Sequence, residues 1–254
     1  MKKYLSIFML FAGSTLKKLL ILLLCMGIVE TGFFYHGVNP TLSLDAVFSA
    51  SHIPMISAVF FLLWEAVLLL HPFQKSGSTL HRLQLTPRKF FLCHAVYNAL
   101  CCLIFWSFQV SLLLGLFRWV GTQLNETMFG PQSILLAFYR NGYLHSLLPL
   151  ADWTRYLRNA GLLLGIGAMI ALPLSRRGSR GSEIALVILS LLGLRAFPVS
   201  MGSVSLDLVL TLFGLAVFGL TIYMQSPDEE VEGILSPDNA LVSSAGNEVN
   251  HHDA

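Results

Sequence analysis

Charged side chains are scarce in this sequence: Asp, Glu, Lys and Arg make up 12% of its 254 residues, about half the share usual in a soluble domain. The hydrophobic fraction is 55% and the mean hydropathy +0.68. This composition excludes an ordinary water-soluble globule and points to an integral membrane protein. Cysteine is also sparse. Cys25, Cys93, Cys101 and Cys102 lie in apolar runs, two of them adjacent and none in C-x-x-C. That spacing fits neither a disulfide framework nor a zinc site, and the four read as small apolar fillers. Catalytic signatures are missing: there is no H-E-x-x-H, G-x-S-x-G, G-x-x-x-x-G-K-[ST] or G-x-G-x-x-G. No metal, cofactor or nucleic acid is therefore expected, and any ATP chemistry has to come from another chain. Lys and Arg are absent from residues 226–254, which hold Asp228, Glu229, Glu230, Glu232, Asp238, Glu248 and Asp253. This stretch is too polar to fold alone and is expected to be a disordered acidic cytosolic tail.

What remains is a series of long apolar runs. They are continuous rather than alternating, which fits membrane helices and excludes a barrel. The fold expected is an all-α integral membrane protein with about six spans over residues 1–225. The first three fall at 19–35, 46–70 (with a kink at Pro54) and 90–117. The fourth needs Trp153 as its start, because 160–174 alone is shorter than the roughly 30 Å hydrocarbon core, whereas 153–174 reaches about 33 Å. Asp152 then stands at an N-cap position, and Trp153, Arg155 and Arg158 are expected at the interface, where long side chains snorkel. The fifth and sixth spans fall at 183–197 and 206–224.

The basic residues orient this set. Lys2, Lys3, Lys17, Lys18, Lys75, Arg82, Arg88, Lys89, Arg176, Arg177 and Arg180 fall on one side, against Arg118, Arg140, Arg155 and Arg158 on the other. The imbalance puts both termini in the cytosol, in a protein of the cell membrane. Residues 1–18 mimic a signal peptide, but cleavage there would leave Lys17 and Lys18 on the exported side. An uncleaved segment lying on the inner membrane surface before the first span is preferred. Residues 118–152 form an outer interfacial segment. Its apolar pieces are too short to cross and are broken by Arg140, Asn141 and Gly142, so short helices on or in the outer leaflet are expected. Trp119, Tyr139, Tyr143 and Trp153 would be their interfacial anchors.

Polar residues inside the runs are the default functional candidates, because each is costly in hydrocarbon unless it faces protein or water. Glu65 is the deepest acid and, with Asn98 and Gln109, a candidate for a transport pathway. Glu30 and Asp207 read as interfacial charges near span ends. His52, His94, Asn98 and Gln109 are expected to bond neighbouring helices, and Gly161 with Gly165 forms a G-x-x-x-G pair suited to close helix approach.

Residues 74–91, QKSGSTLHRLQLTPRKFF, are the longest polar and basic stretch between two strongly apolar runs. A cap at Ser78 or Thr79, an apolar stripe of Leu80 and Leu83, and a stop at Pro87 describe a short amphipathic helix parallel to the membrane. Arg82, Arg88 and Lys89 would face headgroups or an acidic partner. The run Thr79, Leu80, Arg82, Leu83, Thr86 and Pro87 resembles, in order and spacing, the cytosolic segment between spans two and three of type-2 ATP-binding-cassette exporter permeases. Ser78 intervenes between Gly77 and Thr79, and His81 stands where the family has an acid. The resemblance implies a coupling helix that docks on a cytosolic ATPase subunit through Thr79, Leu80, Arg82, Leu83, Thr86, Pro87 and Arg88. It also implies a second permease subunit, identical or a sister chain. The function it implies is that of a transport subunit without its own nucleotide site. Two other classes stay open from the residues alone: an intramembrane enzyme using Glu65, His94 and Asn98, and a non-transporting membrane assembly or sensor protein.

Overall fold

The computed structural model describes residues 2–37, 48, 51–69, 87–123, 131–150, 152–175, 180–196 and 204–224. Among these residues the protein is all-helical, with no strand. In chain order the helices are α1 (Lys2–Gly37), α2 (Ile53–Leu69), α3 (Pro87–Gln123), α4 (Pro131–Arg140), α5 (Gly142–Leu147), α6 (Trp153–Ser175), α7 (Arg180–Ala196) and α8 (Val204–Tyr223). Within them Thr15–Gly37, Arg88–Val120 and Val204–Tyr223 are long and apolar enough to cross a membrane, and Ile53–Leu69 and Ile184–Arg195 are shorter apolar helices. Their outward faces are strongly apolar: Leu20, Ile21, Leu24 and Ile28 on α1, Ile184, Val187, Ile188 and Leu191 on α7, and Val209, Leu212 and Leu220 on α8 are all exposed. Hydrocarbon, rather than water, suits so much contiguous apolar surface.

Helix α6 occupies the centre and packs against α2, α3, α7 and α8. Every residue from Gly165 to Leu172 is buried. Small residues make this closeness possible. A Cβ at Gly214 of α8 would stand 2.4 Å from the Gly161 carbonyl oxygen, and one at Gly167 would stand 2.6 Å from the Ala95 carbonyl oxygen of α3. Gly165 faces the Gly214 backbone, so the glycine pair expected to mediate close approach does so, with α8 as its partner. Two apolar cores flank this centre. One joins Phe11, Met26, Trp64, Phe105, Leu162 and Ile166. The other gathers Phe34, Phe48, Phe117, Phe138 and Leu144.

The helix boundaries differ from the sequence reading in two places. First, α1 is unbroken from Lys2 to Gly37, so residues 2–18 run helically into the first span without the expected separation. Ile7 and Phe11 are buried in the core, Phe11 lies against the rings of Phe90, His94 and Tyr97, and the Thr15 hydroxyl bonds the Tyr97 hydroxyl. Second, Pro54 does not kink a long helix. It sits in the first turn of α2, where an amide N–H would have no intrahelical partner and proline is tolerated. The turn before it holds His52 at φ 52°, and the His52 carbonyl receives the amides of Met55 and Ile56 at 3.0 and 3.2 Å.

Residues 131–147 form two short helices, α4 and α5, where short helices were expected from the apolar pieces. Asn141 separates them and caps α5, its side-chain oxygen accepting from the Tyr143 and Leu144 amides at 3.0 and 3.3 Å. Trp119, Tyr139 and Trp153 are exposed, but Tyr143 is buried. It is therefore a core residue rather than a surface anchor. The expected docking residues Thr79, Leu80, Arg82, Leu83 and Thr86, and the acidic tail 226–254, lie outside the described residues. Pro87 opens α3, and Arg88 beside it is exposed.

Candidate functional site

A cavity of about 300 Å³ lies inside the bundle. Its wall is mostly apolar, with Phe61, Phe105, Trp106, Leu162 and Ile166 prominent, and carries five neutral polar side chains: Ser57 of α2, Gln109 of α3, Tyr143 of α5, Asn159 of α6 and Ser190 of α7. A largely apolar enclosure with a few hydrogen-bonding groups is the usual make-up of a small-molecule site. Five helices contribute to its wall: α2, α3, α5, α6 and α7.

Each polar group is fixed by a partner. The Ser57 and Tyr143 hydroxyls bond each other, and burial pushes the Tyr143 phenol well above its ordinary range, a shift the Ser57 contact partly opposes. Gln109 donates its amide nitrogen to both Glu30 carboxylate oxygens at 3.0 and 2.9 Å. Its own oxygen has no hydrogen-bond partner among the described residues. Ser190 donates to Glu65 at 2.8 Å, and the Asn159 amide donates to the Ser146 carbonyl at 2.9 Å. Two carboxylates thus stand one side chain behind the cavity wall, Glu30 behind Gln109 and Glu65 behind Ser190.

A second polar cluster joins α5, α6 and α8. Arg158 donates to Asp207 at 2.9 Å and to the Asn159 side-chain oxygen, and Arg155 donates to the Ser146 hydroxyl at 2.9 Å. Arg155 also lies 3.9 Å from Asp207 and 3.7 Å from Asp152. The Asp152 carboxylate meets His145 at 2.9 Å. Two guanidiniums therefore face two carboxylates.

These contacts revise several expectations. Arg155 and Arg158 do not snorkel; they are 2% and 1% exposed, and Asp207 is 4% exposed. The ion pair across α6 and α8 allows that burial. Glu30 is likewise fully buried, because α3 supplies Gln109 at its level. Gln109 does bond a neighbouring helix, and so does Asn98, whose amide reaches the Gly167 carbonyl at 3.3 Å. Of the pathway candidates Glu65, Asn98 and Gln109, Gln109 lines the cavity and Glu65 stands behind its wall. Asn98 instead ties α3 to α6. Glu65 and Asn98 turn to different helices, while the His94 ring lies against Phe11 and Phe90. His52 is exposed.

Ser57, Asn159 and Ser190 were not singled out from sequence, and Tyr143 was expected only as an interfacial anchor. Single serines in apolar helices are ordinary membrane residues, and only the packing of α2, α5 and α7 around one space distinguishes these. No family model, curated protein or solved structure matches the chain.

Proposed function

We propose that the chain is the transmembrane permease subunit of an ATP-driven exporter, working with a separate cytosolic ATPase and a second permease subunit in the cell membrane. In this reading α1, α2, α3, α6, α7 and α8 are six spans, both termini face the cytosol, and α4 and α5 lie outside. The distribution of Lys and Arg supports that orientation. Helix α6 can carry Arg155, Arg158 and Asn159 because it is enclosed by protein, where they meet partners instead of lipid.

The observation that carries the reading is the relation of the cavity to the segment between α2 and α3. Both helices wall the cavity, α2 through Pro54, Ser57 and Phe61, α3 through Cys102, Phe105 and Gln109. They are also the two helices joined by the stretch holding Thr79, Leu80, Arg82, Leu83, Thr86 and Pro87, which resembles the ATPase-docking segment of type-2 permeases. A push on that stretch as the ATPase subunits close on nucleotide would reach the cavity wall through two stiff helices. A rigid-body tilt of α2 and α3 would then change which side the cavity opens to. The absence of any nucleotide-binding motif in this chain assigns hydrolysis to the partner.

The test is co-purification. Leu80→Asp with Leu83→Asp, or Arg82→Glu alone, is expected to abolish recovery of the ATPase subunit and transport while the chain still accumulates in the membrane. Undiminished ATPase recovery with the double variant would contradict the coupling.

A further inference from the structure

We propose that the cavity binds a lipophilic amine, an apolar body carrying a protonated nitrogen, admitted from the bilayer past Met55. The inference rests on reading the cavity as the substrate path and adds the class of molecule that travels it.

The apolar body follows from the wall, which is built mainly of Phe, Trp, Leu and Ile side chains. The positive nitrogen follows from the distribution of charge around it. The ion pairs of the bundle gather in the cluster of His145, Asp152, Arg155, Arg158 and Asp207. There the two guanidiniums and two carboxylates balance. Glu30 and Glu65 stand outside that balance: Glu30 takes hydrogen bonds from the Gln109 amide, and Glu65 takes one from the Ser190 hydroxyl. Neither pairs with a cationic side chain among the described residues, so an ammonium brought by a ligand would supply the counter-charge that lets these buried carboxyls ionise. An anion would oppose that ionisation, since like charges repel strongly in a low-dielectric site. The wall adds an acceptor as well. The Gln109 side-chain oxygen is buried and without a hydrogen-bond partner among the described residues, and an ammonium offers donors only.

Access follows from Met55. This side chain lines the cavity and also a groove between α1 and α2 formed with Val29, Phe33, Ile56 and Phe60. Met55 is 70% exposed and unbranched, so it can swing without disturbing the backbone. The groove opens on the apolar outer face of the bundle, where a lipid-dissolved molecule would arrive without crossing water.

The test uses the purified chain alone in nanodiscs, with no ATPase present, so its failure is separate from failure of the exporter reading. Three dansyl-labelled decyl probes ending in an ammonium, a hydroxyl or a carboxylate are titrated, with empty nanodiscs subtracted. The ammonium probe is expected to bind at least about tenfold tighter than the other two, as complementary charge in a partly desolvated site requires. Glu30→Gln combined with Glu65→Gln is expected to erase that preference. Gln109→Leu, which keeps both carboxylates, is expected to weaken the ammonium probe most. Met55→Trp is expected to slow association of all three probes and leave their ranking unchanged. Equal binding of the three probes to the unaltered chain overturns the ligand class. So does a preference that survives in the double variant with helicity intact. An unchanged association rate in Met55→Trp overturns the route.

Discussion

Arg158 of α6 donates to Asp207 of α8 across 2.9 Å, both side chains buried, joining residues 49 positions apart in the sequence. Asp207 lies in the first turn of α8, the end of a helix that favours negative charge. Arg158 sits near the start of α6, where the helix dipole disfavours a cation. The pair resolves that conflict and fixes α8 against α6 on the N-terminal side of the glycine contacts. Removing one partner leaves an uncompensated charge. Asp207→Leu is therefore expected to cost about 3–5 kcal/mol, and Asp207→Leu with Arg158→Met to recover most of it. SDS-induced unfolding in mixed micelles measures both. A double variant no better than the single would mean that the pair's value lies elsewhere.

The contact between α6 and α8 also depends on the absence of a side chain. At Gly214 a Cβ would fall 2.4 Å from a backbone oxygen that no rotamer change can move. Gly214→Leu is expected to force the helices apart and destabilise the protein by about 1–3 kcal/mol. Gly13, whose added Cβ meets nothing within 4 Å, serves as the control, because Gly13→Ala should be neutral or slightly stabilising by helix propensity. Equal effects at the two positions in the same unfolding assay would contradict the close packing.

His52 holds a left-handed backbone at φ 52° immediately before α2. A β-branched residue adopts that conformation poorly and glycine readily. His52→Gly should leave the thermal midpoint unchanged or raise it, whereas His52→Val should lower stability by about 1–2 kcal/mol. Because His52 also borders the groove beside Met55, the two variants should be compared by thermal unfolding rather than by transport.

The helices were legible in the sequence because their signal is one-dimensional: a run of apolar residues of spanning length has few other solutions. The start of α6 at Trp153 followed from hydrocarbon thickness and the cap position of Asp152, and the break between α4 and α5 from Arg140, Asn141 and Gly142. The rotation of each helix was not legible. Glu30 and Asp207 sit near the ends of apolar runs, which suggested an interface, yet both point inward because Gln109 and Arg158 occupy facing positions on distant helices. Tyr143 has an anchor's composition but a core residue's place, since α5 turns it toward Ser57. Hydropathy gives the depth of a residue but not its azimuth, and the cavity is a property of azimuth. Gln109 was found because a glutamine inside a long apolar run is unusual. Ser57 and Ser190 were missed because serine there is not.

The proposed coupling requires the stretch from Thr79 to Arg88 to face the compartment that holds ATP, where a hydrolysing partner can act on α2 and α3. The measurement that reaches it most directly is side-specific labelling of Ser78→Cys, with Cys25 and Cys93 replaced by serine, using a membrane-impermeant maleimide. Labelling is expected in inside-out vesicles and not in intact cells. Labelling from outside intact cells would contradict it.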